Sequence, residues 1–386
     1  MKPFPFMTAC TLLAQTLTIS LFSDSTASAS QQNNPPGTQT NIQGRLQPIS
    51  ASASVDEGWF FDASLLYWNA KADGFNFVHK IKLDGLNPNG APTHLNASTR
   101  PHSPKFNEWD PGVQVGIGYI FPQREQWRAR LSWTHLNTDS EGSASSNINN
   151  IPNEYLAPVL IPFVIGTVAD HASGHWSLRY NIVDLELDRQ FYVGKWLSIR
   201  PRLGLRAAWI DQDFHAKYHA FFITTAGAFP FHTRFKCEQE FSGIGAKLGS
   251  DLQFYMTKAW SILGNLSTSL LWGSTELKEK TNGRLFVDSS NSFPETIKLK
   301  QTIDKLRANL EGQLGLQWQT YYHQGKYRFA ASALYTFSYW FNQNQLTNQV
   351  VGFPPTIDLS FPALAESNAY GDLQLQGVNI QFEFDF

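Results

Sequence analysis

Along most of this chain, apolar and polar residues alternate with a period of two. In WFFDASLLYWN, Trp59, Phe61, Ala63, Leu65 and Tyr67 share one face and oppose Asp62 and Ser64, because successive strand side chains point to opposite sides. PGVQVGIGYIF sets Val113, Val115, Ile117, Tyr119 and Phe121 against Gln114, Gly116 and Gly118. In QWRARLSWTHL, Trp127, Ala129, Leu131 and Trp133 oppose Arg128, Arg130, Ser132 and Thr134. WLSIRPRLGLRAAW and LRANLEGQLGLQWQ repeat the arrangement, and stretches near 175–193, 240–256, 259–272, 326–341 and 371–386 read the same way. None follows the 3.6-residue period of an amphipathic helix. Two stretches change phase, at Ile182-Val183 and at Gly377-Val378, which predicts a β-bulge at each.

The connections arrange these strands. Short links fall at 122–125, around Gly194, at Thr257-Lys258 and at 322–326; long ones fall at 70–110, 138–174, 211–239, 273–303 and 342–370. The two kinds alternate, giving about ten antiparallel strands with both ends on the short-turn side. A hairpin in FNFVHKIKL, where Phe75, Phe77, His79, Ile81 and Leu83 are in phase, would raise the count to twelve or more. An even strand number, short turns on one side, long loops on the other and aromatics at strand ends are the pattern of a transmembrane up-and-down β-barrel. The last stretch, QGVNIQFEFDF, fits as well. Val378, Ile380, Phe382, Phe384 and Phe386 form one face of a strand that a closed barrel must pair with its first strand. The same run has the form of the C-terminal signal read by outer-membrane assembly machinery.

Composition and the chain's beginning place the barrel. Residues 1–29 carry Lys2, an apolar stretch and a small-residue Ala27-Ser28-Ala29 pattern, as in a secretory signal peptide. Residues 30–57 are polar and lack aromatics, so they read as a flexible periplasmic arm, and 58–386 as the barrel. Charged residues are only 16% and aromatics 14%. Beyond the leader no apolar run reaches the roughly 18 residues of a spanning helix. A formal charge of −2 excludes nucleic acid as a natural partner. Beyond the leader Cys237 stands alone, so no internal disulfide can form, and an inert buried thiol is expected. The location implied is a bacterial outer membrane.

Several stretches resemble the pore-forming major outer membrane protein family of Legionella and chlamydia-related bacteria. They are DASLLYWNAKADGFNFV (62–78), PGVQVGIGY (111–119), HWSLRYNIVDLELDRQFYVGKWLSIRPRLGLRAAWIDQ (175–212) and FSGIGAKLGSDLQF (241–254). The resemblance implies an outer-membrane barrel that passes small solutes and meets host or environment through its loops, and it brings no catalytic motif. The disulfide cross-linking associated with the chlamydial protein does not fit a lone Cys237.

With apolar faces toward lipid, the polar faces line a lumen, and charge inside a membrane span is tolerated only against water or a partner. The pore-lining set expected is Arg128, Arg130, Arg179, Arg200, Arg202, Arg206, Lys247, Asp251, Arg307, Glu311 and Arg328, with Asp62 and Asp184 among the acids on the same polar faces. It reads either as an Arg-lined wall favouring anions or as an Arg–carboxylate network that fills a narrow barrel. Ten strands lie near the filled end of the size range, so the pore would be narrow. The loop segments APVLIPFVIGTVA, HAFFITTAGAFPF and VVGFPPTIDLSFPALA are apolar enough to close over the mouth, dock into the lumen or bind an apolar solute. His171/His175 and His215/His219 have four-residue spacing, but they lie in or beside β segments without a third ligand, so no metal site is assigned. GIGAKLG lacks the following helix of a nucleotide loop, and no cofactor is expected.

The leading expectation is a non-enzymatic, porin-like channel. The alternatives are a hydrophobic-solute channel, a plugged structural or adhesive barrel, and an outer-membrane hydrolase. The last would use Asp170, His171 and His175, or Asp211, Asp213 and His215, at the rim. Expected partners are outer-membrane lipid, the assembly machinery, a second copy in a homo-oligomer, and host surfaces met by the loops.

Overall fold

A computed structural model of the protein describes residues 58–86, 92–121, 127–147, 154–160, 167–224, 227–286, 292–323, 326–345 and 370–386. Residues 1–29 and 30–57, expected as a leader and an arm, and the segment VVGFPPTIDLSFPALA lie outside the described residues. Among the described residues fourteen strands are present: β1 (Gly58–Ala72), β2 (Val78–Leu86), β3 (Pro92–His102), β4 (Asp110–Ile120), β5 (Trp127–Ser145), β6 (Glu154–Pro158), β7 (Thr167–Arg189), β8 (Phe191–Val193), β9 (Leu197–Thr224), β10 (Gly227–Tyr255), β11 (Trp260–Phe286), β12 (Ser292–Tyr322), β13 (Tyr327–Gln345) and β14 (Tyr370–Asp385).

The pairings run β1–β4–β5–β7–β9–β10–β11–β12–β13–β14 and return from β14 to β1, every step antiparallel. The all-β transmembrane barrel is therefore the fold. The total of fourteen strands exceeds the ten expected, because β2, β3, β6 and β8 lie outside this closed circuit. The anticipated hairpin exists as β2 and β3. Closure is made by the last strand, with Phe61 opposite Phe384 and Leu65 opposite Ile380. The Phe386 N–H reaches the Trp59 carbonyl at 3.0 Å. Gly194, at φ +81°, makes one of the short turns with a backbone that a side chain would oppose.

Two sequence expectations fail for one shared reason. Pairing continues without interruption through Ile182 and through Gly377, so no bulge lies at either place. The supposed loops 211–239 and 273–303 are largely strand, since β9 to β12 run for 28, 29, 27 and 31 residues. What changes is the surroundings of the wall. On β11, Ile262, Leu266, Leu270 and Trp272 face outward as a lipid-facing band. Further along the same outer face come Ser274, Glu276, Lys278 and Lys280, while Leu271, Thr275, Leu277 and Glu279 are buried inside. On β7, Leu185 and Leu187 face out in the band, whereas Leu178, Tyr180 and Ile182 are buried. The apolar face moves from outside to inside where the strands leave lipid for water, while side chains keep alternating.

Above the band the barrel therefore encloses a hydrophobic core. Trp176, Phe214, Ile210 and Leu277 from the wall pack with Phe75, Phe77 and Val78 from the segment opening the β2–β3 hairpin. Phe75 lies 5.1 Å from Phe214 and 6.2 Å from Trp176, and Phe106 meets Trp176 edge-on at 5.2 Å. Tyr218 donates its hydroxyl to the Phe77 carbonyl at 2.7 Å. Two of the apolar segments contribute as well, through Leu160 and Ala169 and through Ala220 and Phe231. Each large side chain so buried contributes about 1.5–3 kcal/mol.

Candidate functional site in the barrel lumen

Below this core, at the level of the lipid-facing band, the lumen is polar and organised as a ladder of ion pairs. Arg206, 3% exposed, donates from Nε and Nη2 to Asp184 at 2.7 and 2.8 Å and from Nη1 and Nη2 to Glu311 at 2.7 and 2.8 Å. Its Nη1 also reaches Asn309 Oδ1 at 2.6 Å. Lys247 lies 2.7 Å from Asp184 and 3.0 Å from Glu186. Toward the short-turn end, Arg130 pairs with Asp62 at 2.5 Å, and Arg202 sits 3.4 Å from Glu186 and 3.3 Å from Asp251. Arg128 and Arg200 share Asp188 at 3.3 and 3.5 Å, and Arg328 holds Glu383 at 2.8 Å and Asp385 at 2.5 Å.

The β alternation sends every one of these side chains inward, and cross-strand neighbours bring the signs together. Arg206 faces Asp184 directly in the β7–β9 register, and Arg328 faces Asp385 in the β13–β14 register. Seven cations (Arg128, Arg130, Arg200, Arg202, Arg206, Lys247, Arg328) thus meet eight carboxylates (Asp62, Asp184, Glu186, Asp188, Asp251, Glu311, Glu383, Asp385). The charge of the expected Arg-lined wall is therefore offset, with one carboxylate in excess. Glu186, Asp188, Glu383 and Asp385 are the partners that the expected site omitted, although their alternation already placed them on the polar face.

Within the ladder a chamber of about 160 Å³ remains, lined by groups such as Gln114, Arg130, Lys247, Asp251, Gln313 and Ser338. GIGAKLG forms part of the wall here. A Cβ at Gly245 would run into the Leu270 carbonyl of the neighbouring strand, so glycine permits the close approach.

Two members of the expected pore lining stand elsewhere. Arg179 is on the outer face above the lipid-facing band, with its side chain 65% exposed and 3.7 Å from Asp211. Its neighbours Leu178 and Tyr180 point inward instead. The cause is the exchange of lipid for water, which leaves the polar face outside at that height. Arg307 does point inward but is 1% exposed, above the chamber and beneath the apolar core.

The rim groups considered for hydrolysis also face outward along the extended wall. Asp170 bonds His219 at 2.6 Å, and His171 stands opposite His219 in the register. His175 lies 3.2 Å from Glu141. Burial, then the nearby Lys236 ammonium, holds His215 below its ordinary value. No metal-binding group of three ligands occurs among the described residues. Burial pushes the Cys237 thiol well up, as expected of an inert cysteine inside the core.

Comparison with known proteins gives a family match over residues 52–386 to the Legionella pneumophila major outer membrane protein precursor. No curated protein matches the chain. Among solved structures it is similar to the outer membrane protease OmpT from Escherichia coli, at 12% identity and TM-score 0.33, covering 86% of this chain and 98% of that one. It is also similar to a Pseudomonas aeruginosa FadL homologue at 10% identity and TM-score 0.25, covering 89% and 95%. The Pseudomonas putida toluene transporter TodX matches at 9% identity and TM-score 0.26, covering 88% and 91%.

Proposed function

The chain belongs to the Legionella major outer membrane protein family, a β-barrel of the bacterial outer membrane, and on that premise we propose that it is a passive channel for small polar solutes, held closed by its own apolar core. The observation that carries this reading is the polar chamber left open inside the ion-pair ladder. A barrel needing only rigidity would gain by filling that space, since voids forfeit packing contacts. The ladder offers both signs to a passing solute, and conduction requires the segment bearing Phe75 and Phe77 to leave the wall aromatics. No step in this reading breaks a covalent bond, so the protein acts without catalysis.

Single-channel recording of the refolded protein in planar bilayers tests the proposal. Brief, rare openings are expected from the wild type, and long discrete openings from a Phe75→Ser, Phe77→Ser variant with a weakened seal. Silence from both proteins, when folded, overturns the channel. It would favour the second reading, a sealed structural or adhesive barrel, whose support is the continuous core across the lumen.

A further inference from the structure

One buried cation is unlike those of the ladder. Arg307 is 1% exposed, yet no carboxylate of the described residues pairs with it, while each of the seven ladder cations has at least one. Its partners are neutral. Nη1 donates to the Asn342 carbonyl, and Nη2 lies 3.4 Å from Thr275 Oγ1. Turning the Gln345 amide places its oxygen 3.0 and 2.6 Å from Nη1 and Nη2. The Phe241 ring lies 6.0 Å from the guanidinium carbon. Nε has no acceptor at all.

A second orphan donor is close by in the register. Trp340 is fully buried, and its indole Nε1 also lacks an acceptor. Tyr180 meets the Trp340 ring edge-on at 6.1 Å without giving a hydrogen bond of acceptable geometry. On β12, Asn309 follows Arg307 by two residues and stands directly opposite Trp340. Asn309 accepts from Arg206, the uppermost cation of the ladder. Arg307 and Trp340 are therefore diagonal neighbours on the lumen face, one step above the chamber.

A desolvated guanidinium with only neutral partners is costly, and each unmet buried N–H adds to the cost. A water molecule would satisfy a donor but not the charge. A small anion satisfies both. We propose that Arg307 and Trp340 form a binding site for a small monovalent anion in the buried layer between the chamber and the apolar core. The site deepens the channel reading, because it supplies the anion preference that the charge-offset ladder cannot. Binding itself does not depend on conduction.

The test uses iodide, which quenches tryptophan fluorescence, titrated into the refolded full barrel at constant ionic strength with gluconate, too bulky for the site, as balance. A saturable quenching component is expected, displaced by chloride in the wild type. Trp340→Phe should remove it, Arg307→Gln should weaken its midpoint at least tenfold, and Arg307→Lys should keep it within about threefold. Quenching that rises linearly with iodide and ignores chloride overturns the site. The chloride competition needs no variant, so the test survives a misfolded Arg307→Gln. Saturable binding without bilayer conductance retains the anion site and removes the channel. Conductance without saturable binding does the reverse.

Discussion

Asp184→Asn should be among the most damaging single changes in this barrel. Asp184, 4% exposed, accepts three charge-assisted hydrogen bonds: 2.7 and 2.8 Å from Arg206 and 2.7 Å from Lys247. The amide keeps the shape but removes the charge shared by two cations that are 3% and 6% exposed. Removing one member of a buried ion pair costs about 3–5 kcal/mol, mainly because the surviving charge stays desolvated. Here Glu311 remains on Arg206 and Glu186 remains on Lys247, so the low end, about 3 kcal/mol, is expected. Arg179→Gln is the control. That side chain is 65% exposed and 3.7 Å from its partner, where an ion pair is worth about 0–1 kcal/mol. Urea titration of both refolded variants in micelles, followed by tryptophan emission, reads the midpoints at an unchanged slope. A loss below about 1 kcal/mol for Asp184→Asn, equal to the control, would mean that the ladder is bathed in water. The burial of the ladder's ion pairs would then be wrong.

Trp176→Ala should cost about 3–5 kcal/mol by opening a cavity among Phe75, Phe106 and Gln212, whereas Leu205→Ala on the lipid face should cost under about 1 kcal/mol; equal midpoint shifts would deny the core. His215 has a depressed folded value, so it favours folding above about pH 6.5, and that contribution is lost as pH falls through the folded value. The melting temperature of the wild type should accordingly fall relative to that of His215→Gln from pH 7.5 to 5, and a constant difference would contradict the shift. Cys237, 1% exposed with its thiol pushed up by burial, should resist maleimide until urea unfolds the barrel; labelling of the folded protein would show that the core opens. Deleting Phe386 removes a 3.0 Å backbone bond to Trp59 and a stacked contact with Phe61 at 5.8 Å, about 1–2 kcal/mol in refolding. If the last strand is the assembly signal, the assembled yield in cells should fall several-fold more than that loss explains, and a proportionate fall would dismiss the signal.

Much of the barrel was legible because alternation is a local property. Each lipid-facing strand must show apolar residues on one side only, so Leu203, Leu205, Leu314 and Leu316 announce the outer wall from their spacing alone. The closing strand announces itself the same way, since Val378 to Phe386 must match a neighbour's outer face. The ladder was half legible. Its arginines stood on the polar face, but which carboxylate each would meet depends on register between strands distant in the chain, as for Arg206 with Glu311, 105 residues apart.

The sequence by itself determined that this chain forms strands, that they close into a lipid-embedded barrel, and which side chains point inward along the membrane band. Only the tertiary structure decided what surrounds those faces above it. Alternation reports that two faces differ, not which of them meets water. Where β7 and β9 to β12 leave the bilayer, the outer face becomes wet and the inner face dry. An unbroken strand therefore looks in sequence like a bulge or a loop. That inversion moved Arg179 outside, buried Trp176 inside, and left Arg307 between the polar ladder and the apolar seal.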